Sequence, residues 1–316
     1  MTTPQTLIEA VRQLADPDVC LELVAGMRWP NGVICPTCGS KEVRFISTRR
    51  LWECKTKHPK RQFSIKVGTI FEDSPIALDK WLIAMWLIAN AKNGISSYEL
   101  AKDLGVTQTT AWFMLQRIRL AMQNEDGGMF GGKVEVDETF IGGLARFMHK
   151  NERERKINGT GGAGKVAVMG LLERHGPERQ SRVRAKVVSN RRRGTLAAEV
   201  RENVEAGSEV FTDALKSYDD LSRDYVHQVI NHAEAYVEGQ VHTNGIENFW
   251  SLLKRAIRGT YISVEPFHLF RYLDEESFRY NERDGNDASR FQKIVGGVVG
   301  KRLTYQNLIG ANTTPA

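Results

Sequence analysis

Five short segments between residues 133 and 230 constrain the fold most, because each alternates apolar and polar residues with the period of a β-strand. They read KVEVDETFIGG, KVAVMGLLER, RVRAKVVS, SEVFTD and YVHQVI. A turn signal, RHGPE, separates the second segment from the third, and helix-like segments follow the third and the fourth, GTLAAEVREN and ALKSYDDL. Three meandering strands followed by alternating helices and strands predict an α/β domain with a mixed five-stranded sheet.

Two carboxylates occupy informative positions on these strands. Asp137 lies in the middle of VEVDETF, where alternation places it on the same face as Glu135 and opposite Val134 and Val136. Asp213 ends the fourth strand, directly before a helix. Ligand groups in an open α/β sheet collect at strand ends and in the loops that follow them. The two acids are therefore candidate ligands for a metal ion that prefers oxygen, such as Mg²⁺.

A third carboxylate, Glu247, lies in the stretch HTNGIENFWSLLKR, which reads as an amphipathic helix. Lys254 follows it by two helical turns, on nearly the same side. The two are too far apart for an ordinary helical ion pair, so they could contact one extended ligand, although a solvated helix shoulder is the simpler alternative. The apolar stripe beside them consists of Ile246, Phe249, Trp250, Leu253 and Ile257.

Three of the four cysteines fall within a short N-terminal region. Cys35 and Cys38 lie in CPTCGS, and Cys54 and His58 lie in CKTKH, with strand-like segments between and after them. Two ligand pairs on hairpins are typical of a zinc ribbon, because zinc takes four sulfur or nitrogen ligands in a tetrahedron. A redox Cys-x-x-Cys is the alternative, but it normally opens a helix. Cys20 stands apart and is expected to be a buried thiol.

Residues 74–122 show helical patterns, and the segments SYELAKDL and QTTAWFMLQRIRLAM meet at Gly105. Two helices joined by a turn that contains glycine indicate a helix-turn-helix, whose second helix could enter a major groove of DNA. Arg117 and Arg119 come late in that helix, whereas residues that read bases usually lie early. A generic helical pair is the alternative.

Net charge allows an anionic partner without demanding one, and the distribution of the basic residues says more. The chain of 316 residues has a net charge of +6, and its basic residues cluster in KNERERK, in RVRAK with RRR, and in KRAIR. These clusters lie near the candidate acids, which favours nucleic acid as the partner. No apolar run reaches the roughly 20 residues that a membrane span needs. We expect a cytoplasmic, nucleoid-associated protein with no membrane partner.

Several of these motifs together resemble one protein family. VEVDETFIGG, VFTDALKSY, HTNGIENFWSLLKR and FRYNER are similar to the core motifs of bacterial insertion-sequence transposases with a ribonuclease H-like DDE domain and an N-terminal zinc ribbon. The resemblance implies that Asp137, Asp213 and Glu247 bind catalytic Mg²⁺ or Mn²⁺ and that Lys254 holds DNA. Some relatives use Asn as the third ligand, so Asn244 is the alternative to Glu247.

The resemblance also implies a zinc ribbon with Cys35, Cys38, Cys54 and His58 as ligands, although His58 stands where a fourth cysteine is usual. It implies binding to terminal inverted repeats, cleavage of the element's ends, and strand transfer to target DNA by a homodimer or higher oligomer. A zinc-dependent transcription regulator and a structure-selective nuclease on the same fold are the alternatives. The predicted segments are N-terminal helices at 1–30, the ribbon at 31–72, the helix-turn-helix at 73–125, the catalytic domain at 133–282 and a tail at 283–316.

Overall fold

The computed structural model describes residues 3–123, 128–142, 149–151, 154, 165–176, 180–213, 218, 220–230, 242–262 and 264–310. The chain forms two compact units. Unit 1 combines Met1–Gln123 with Asp284–Ala316, and unit 2 is Asn124–Arg283. The finer division into five segments stays a prediction. No helix in the described ranges is long and apolar enough to cross a membrane.

Unit 1 contains a small sheet and seven helices among its described residues. The sheet has the order β1-β2-β3 and is antiparallel, with strands Val43–Ile46, Leu51–Cys54 and Gln62–Phe63. The helices α1 to α5 are Leu7–Leu14, Pro17–Arg28, Leu78–Asn90, Ser97–Leu104 and Gln108–Met122. The C-terminal segment adds α9, Asp287–Gly296, and α10, Tyr305–Leu308.

The C-terminal segment is part of the core of unit 1. Phe291 on α9 is fully buried, and its ring lies 5.4 Å from that of Trp86 on α3. Gly297 ends α9 so close to α5 that an added Cβ would lie 2.2 Å from the carbonyl oxygen of Ala121. The stretch predicted as a tail therefore supplies apolar packing to the N-terminal unit.

The helix-turn-helix has the capping signals that its sequence predicts. Ser96 accepts a hydrogen bond from the backbone N–H of Glu99 at the start of α4, and Thr107 does the same for Thr110 at the start of α5. Gly105 ends α4 with φ of +60°, a conformation that glycine adopts without strain. These three signals fix the turn between the two helices.

Unit 2 is built on the predicted mixed five-stranded sheet, with strand order β6-β5-β4-β7-β8. β4, β5 and β6 pair antiparallel, whereas β7 and β8 are parallel to β4. The strands β4 to β8 are Lys133–Ile141, Val166–Glu173, Arg182–Val188, Glu209–Asp213 and Val226–Ile230. The helices α6 to α8 are Arg193–Asn203, Asn244–Ala256 and Leu269–Asn281. The predicted helix ALKSYDDL falls largely outside the described residues.

The two faces of this sheet carry separate cores, as the alternation predicts. Val134 and Val136 of β4 pack in one core with the buried face of α6. The opposite face of the sheet packs against α7 and α8 through residues such as Ile141 and Leu172. Odd-numbered residues of β4 near its middle therefore face α7, and Asp137 is among them.

Gly170 on β5 makes room for α7 next to Asp137. It pairs directly with Asp137 across the antiparallel ladder. A Cβ at this position would lie 2.6 Å from the ring of Trp250 and 2.7 Å from Cδ1 of Ile246. Both side chains belong to α7, so any larger residue at this position pushes the helix away from the sheet.

Replacing Gly170 by alanine should lower the thermal stability of unit 2. Overpacking of a well-packed core typically costs about 1–3 kcal/mol, so thermal unfolding of Gly170→Ala should begin at a clearly lower temperature. Gly194→Ala is the control, because a Cβ at Gly194 meets nothing within 4 Å. Unfolding of Gly170→Ala at the wild-type temperature would show that the Trp250 ring does not pack against β5 at this position.

Candidate active site and metal centre

Two of the predicted catalytic acids lie on neighbouring strands of the sheet. β4 and β7 are parallel neighbours, and Glu135 pairs with Phe211 in their ladder. Asp137 and Asp213 each lie two residues beyond that pair, so both project from the face that α7 covers. The third acid, Glu247, lies in the first turn of α7.

α7 presents its apolar stripe to the sheet and its polar residues to solvent. The stripe residues Ile246, Phe249, Trp250, Leu253 and Ile257 are all buried, as predicted. Glu247 and Asn244 are exposed. The Thr243 hydroxyl donates to Oε1 of Glu247 at 3.0 Å. The geometry leaves both Glu247 and Asn244 open as the third ligand.

Asp137 lies among other negative charges. The indole N–H of Trp250 donates to its Oδ2 at 2.9 Å. Burial raises the pKa of Asp137 to about 6; hydrogen bonds from the Glu138 backbone and Trp250 oppose this rise, and the charges of Asp213 and Glu247 add to it. Asp137 is therefore close enough to Asp213 and to Glu247 to be repelled by each, and a bound cation would relieve that repulsion.

Glu138, which alternation places on the opposite face of β4 from Asp137, is a further carboxylate close enough to interact with the strand acids. Burial, and then the charges of Asp213 and Asp137, raise its pKa to about 8, and only the attraction of Arg191 acts in the other direction. Its Oε1 is buried without a hydrogen-bond partner among the residues that the structure describes. Glu138 was not among the predicted site residues, although its place beside Asp137 in the sequence was a signal.

Lys254 lies near the acids, as the helical spacing predicts. Its side chain is half-buried. Burial lowers its pKa, as do the charges of Arg258 and Lys165, while the attraction of Asp137 raises it. Three basic groups therefore accompany the acids. Positive charges next to the acids would attract the phosphates of a DNA strand.

The four predicted zinc ligands come together in unit 1. Their donor atoms all lie within 4.8 Å of one another. Cys35 Sγ lies 3.5 Å from Nε2 of His58, and Cys38 Sγ lies 3.6 Å from Sγ of Cys54. Tetrahedral bonds of about 2.3 Å to zinc place two sulfurs roughly 3.8 Å apart. The spacing therefore fits zinc.

The surroundings of Cys35 and His58 in the ribbon favour the protonation states that bind metal. Burial opposes ionisation of the Cys35 thiol, but the backbone N–H groups of Cys38 and Thr37 outweigh it, so that the pKa of Cys35 is lowered. Nδ1 of His58 lies 2.7 Å from the carbonyl oxygen of Pro59, which can only accept. Nδ1 must then carry the proton, which leaves Nε2 free to bind metal.

The acids of unit 2 are less tightly grouped than the ribbon ligands. Of the His, Cys, Asp and Glu side chains in the described part of the chain, only the ribbon set brings three or more donors close enough to hold one ion. Asp137, Asp213 and Glu247 interact through their charges without forming such a set.

The late arginines of the helix-turn-helix have structural roles. Arg117 is 5% exposed and donates to the carbonyl oxygens of Ile70 and Glu72, both at 2.8 Å. Arg119 is also buried. The accessible residues of α5 lie at its start, where Thr109 is exposed. A DNA contact by α5 would have to use this first turn.

Comparison with known proteins identifies the family. Residues 129–281 match the ISXO2-like transposase domain, and residues 16–56 match the transposase zinc-ribbon domain. An uncharacterized protein in transposable element ISH50 of Halobacterium salinarum is 30% identical over 243 residues, which cover 74% of this chain and 80% of that protein. An uncharacterized transposase-like protein of Haemophilus influenzae is 35% identical over 113 residues, which cover 35% of this chain and 91% of that protein. With the predicted sheet and ribbon both present, the chain belongs to the ISXO2-like family of insertion-sequence transposases.

Proposed function

We propose that the chain binds the terminal inverted repeats of its insertion sequence, cleaves DNA at the element's ends and joins the 3′-hydroxyls to target DNA. The observation that carries the proposal is that Asp137 on β4 interacts through charge with Asp213 on the neighbouring strand β7 and with Glu247 on the helix packed over that sheet face. The family supports it, because its domain model is that of a transposase.

The donor set fits a hard divalent cation such as Mg²⁺ or Mn²⁺. All three candidate ligands are carboxylates. Burial raises the pKa of Asp137 and the nearby charges of Asp213 and Glu247 add to the rise, so a bound cation would favour its ionised form. Asp137, Asp213 and Glu247 would hold the metal, with Asn244 as the alternative to Glu247. When bound, such an ion supplies charge stabilisation at the attacking and leaving oxygens of phosphodiester transfer.

The protein's own groups would orient the reaction. Trp250 fixes one oxygen of Asp137 by donating its indole N–H to Oδ2. Lys254 would hold a phosphate of the scissile strand, since its charge interacts with that of Asp137 and it lies about two helical turns after Glu247 on α7. Water and a DNA hydroxyl are equivalent in-line nucleophiles, so one site can serve both cleavage and joining. No covalent enzyme intermediate is required.

The N-terminal elements would bind DNA. The ribbon would hold Zn²⁺ through Cys35, Cys38, Cys54 and His58, and the first turn of α5 would contact the inverted repeat. We further propose that the protein acts on double-stranded DNA as a homodimer or higher oligomer, in the cytoplasm and at the nucleoid. A transcription regulator on this fold would bind without cutting, and a structure-selective nuclease would cut without joining.

Removing a catalytic acid should abolish cleavage and joining but retain binding to the element's ends. Substitutions around a metal site cost about 10- to 100-fold even when the residue is not itself a ligand, so Asp137→Asn, Asp213→Asn and Glu247→Gln should each lose about 100-fold or more. Strand nicking and joining in Mg²⁺ measure the loss, and a mobility shift measures binding.

Glu199→Gln is the matched control, because Glu199 pairs with Lys186 away from the acids and should keep wild-type activity. Normal cleavage by Asp137→Asn would overturn the proposal. Normal cleavage by Glu247→Gln, together with loss in Asn244→Ala, would assign the third ligand to Asn244.

Protein purified without added metal should contain one zinc per chain. Cys54→Ser should lose it, because a serine hydroxyl does not supply a thiolate, and elemental analysis measures the change. Cys20→Ser is the control, since the Cys20 thiol donates to the Leu14 carbonyl at 3.1 Å and a hydroxyl can replace it. Full zinc content in Cys54→Ser would refute the ribbon assignment.

A further inference from the structure

Glu135 is a buried carboxylate that the proposed chemistry does not use. It lies on β4 with 1% of its side chain exposed. Its Oε1 accepts from Nε of Arg174 at 2.7 Å, and the Arg174 guanidinium lies 4.1 Å from the centre of the Phe211 ring. A buried charge of this kind is tolerated only with such a partner. The second oxygen, Oε2, points away from Arg174 to a different group.

That group is the N-terminus of α7. Oε2 of Glu135 accepts from the backbone N–H of Ile246 at 2.9 Å. The first N–H groups of a helix have no partner within the helix, and a negative charge at this end is stabilised by the helix dipole. Thr243, the N-cap residue, makes no side-chain cap. Its hydroxyl donates to Glu247. Glu135 therefore caps α7 from the sheet.

The cap links the two elements that carry the proposed ligands. Glu135 precedes Asp137 by two residues on the same face of β4, and Ile246 directly precedes Glu247 on α7. A second hydrogen bond, from Trp250 to Asp137, joins the same strand and helix one turn farther along. Two bonds at separate points fix both the translation and the rotation of α7 on β4.

We propose that Glu135 is a positioning residue, which sets the place of Glu247 relative to Asp137 by anchoring the start of α7 to β4. The inference rests on the proposed function, because it assumes that these acids hold the metal. Glu135 itself contacts neither metal nor DNA. Its effect is on the affinity of the site, since a group that orients ligands changes how tightly they bind a metal.

Gly245 offers a way to disturb the anchor from the helix side. An added Cβ there would lie 2.9 Å from Oε2 of Glu135 and 3.1 Å from Cδ2 of Leu172. Gly245→Ala therefore displaces the carboxylate without removing its charge. Glu135→Gln instead removes the charge and keeps the shape of the side chain. The two variants together distinguish the effect of the carboxylate's position from the effect of its charge.

Glu173→Gln is a matched control in the same sheet. Glu173 also accepts from one backbone N–H, that of Gly131 at 3.0 Å, and from one arginine, Arg182 at 2.8 Å. Its backbone partner does not lie on α7. Glu135 also lies 3.5 Å from Nδ1 of His242. The control therefore removes the charge of a carboxylate with similar backbone and arginine partners, without touching the anchor.

The test measures Mn²⁺ affinity directly on the full-length, zinc-containing protein, with free Mn²⁺ followed by electron paramagnetic resonance and Asp137→Asn as background. Glu135→Gln and Gly245→Ala should each raise the Kd for Mn²⁺ by about tenfold or more. Glu173→Gln should keep the wild-type value. Melting temperatures of all variants are recorded, because a merely structural role would change melting without this selective loss of affinity.

Wild-type Mn²⁺ affinity in folded Glu135→Gln and Gly245→Ala would overturn the inference and leave the proposed function intact. An equal loss in Glu173→Gln would also overturn it, because the effect would then be general. If Glu135→Gln does not fold, Gly245→Ala decides, since it keeps the carboxylate. Failure of the wild-type protein to bind Mn²⁺ above the Asp137→Asn background would remove the proposed function and this inference with it.

Discussion

The seating of α7 on one face of the five-stranded sheet is the constraint on which the candidate site depends. Burying each large apolar side chain of its stripe contributes about 1.5–3 kcal/mol, so the helix is held by Ile246, Phe249, Trp250 and Leu253. Gly170 provides the space that this close approach requires. The polar residues of the same helix then remain available, and Glu247 can face the strand acids because it has no share in the packing.

The strand carboxylates near this site carry negative charge whose cost a bound cation would offset. The pKa values of Asp137 and Glu138, about 6 and about 8, lie above their ordinary values of 3.8 and 4.5. Because the folded-state values are raised, the metal-free fold loses stability as the pH rises from about 4 through them. A bound dication would favour the ionised carboxylates and reverse that loss. The ionised carboxylates that would bind metal therefore destabilise the metal-free fold, and a bound metal ion would remove this cost.

Local patterns in the sequence were sufficient for the sheet and the ribbon, but not for contacts between distant segments. Alternation predicted the two faces of β4, and cysteine spacing predicted the cluster that includes His58. The hydrogen bond between Glu135 and Ile246 spans 111 positions, and no local period encodes it. The packing of Phe291 against Trp86 could not be predicted from the sequence for the same reason, because the two residues lie far apart along the chain. Alternation did place Glu135 beside Asp137, and that was the available signal.

The central claim is that Asp137, Asp213 and Glu247 converge on one divalent cation. Anomalous diffraction from crystals grown with Mn²⁺ tests it most directly, because it locates the metal without relying on activity. The account predicts a peak about 2.0–2.4 Å from carboxylate oxygens of Asp137 and Asp213, with Glu247 or Asn244 turned towards it. A structure at saturating Mn²⁺ with no peak between the two aspartates, or with the metal bound elsewhere in unit 2, would contradict it.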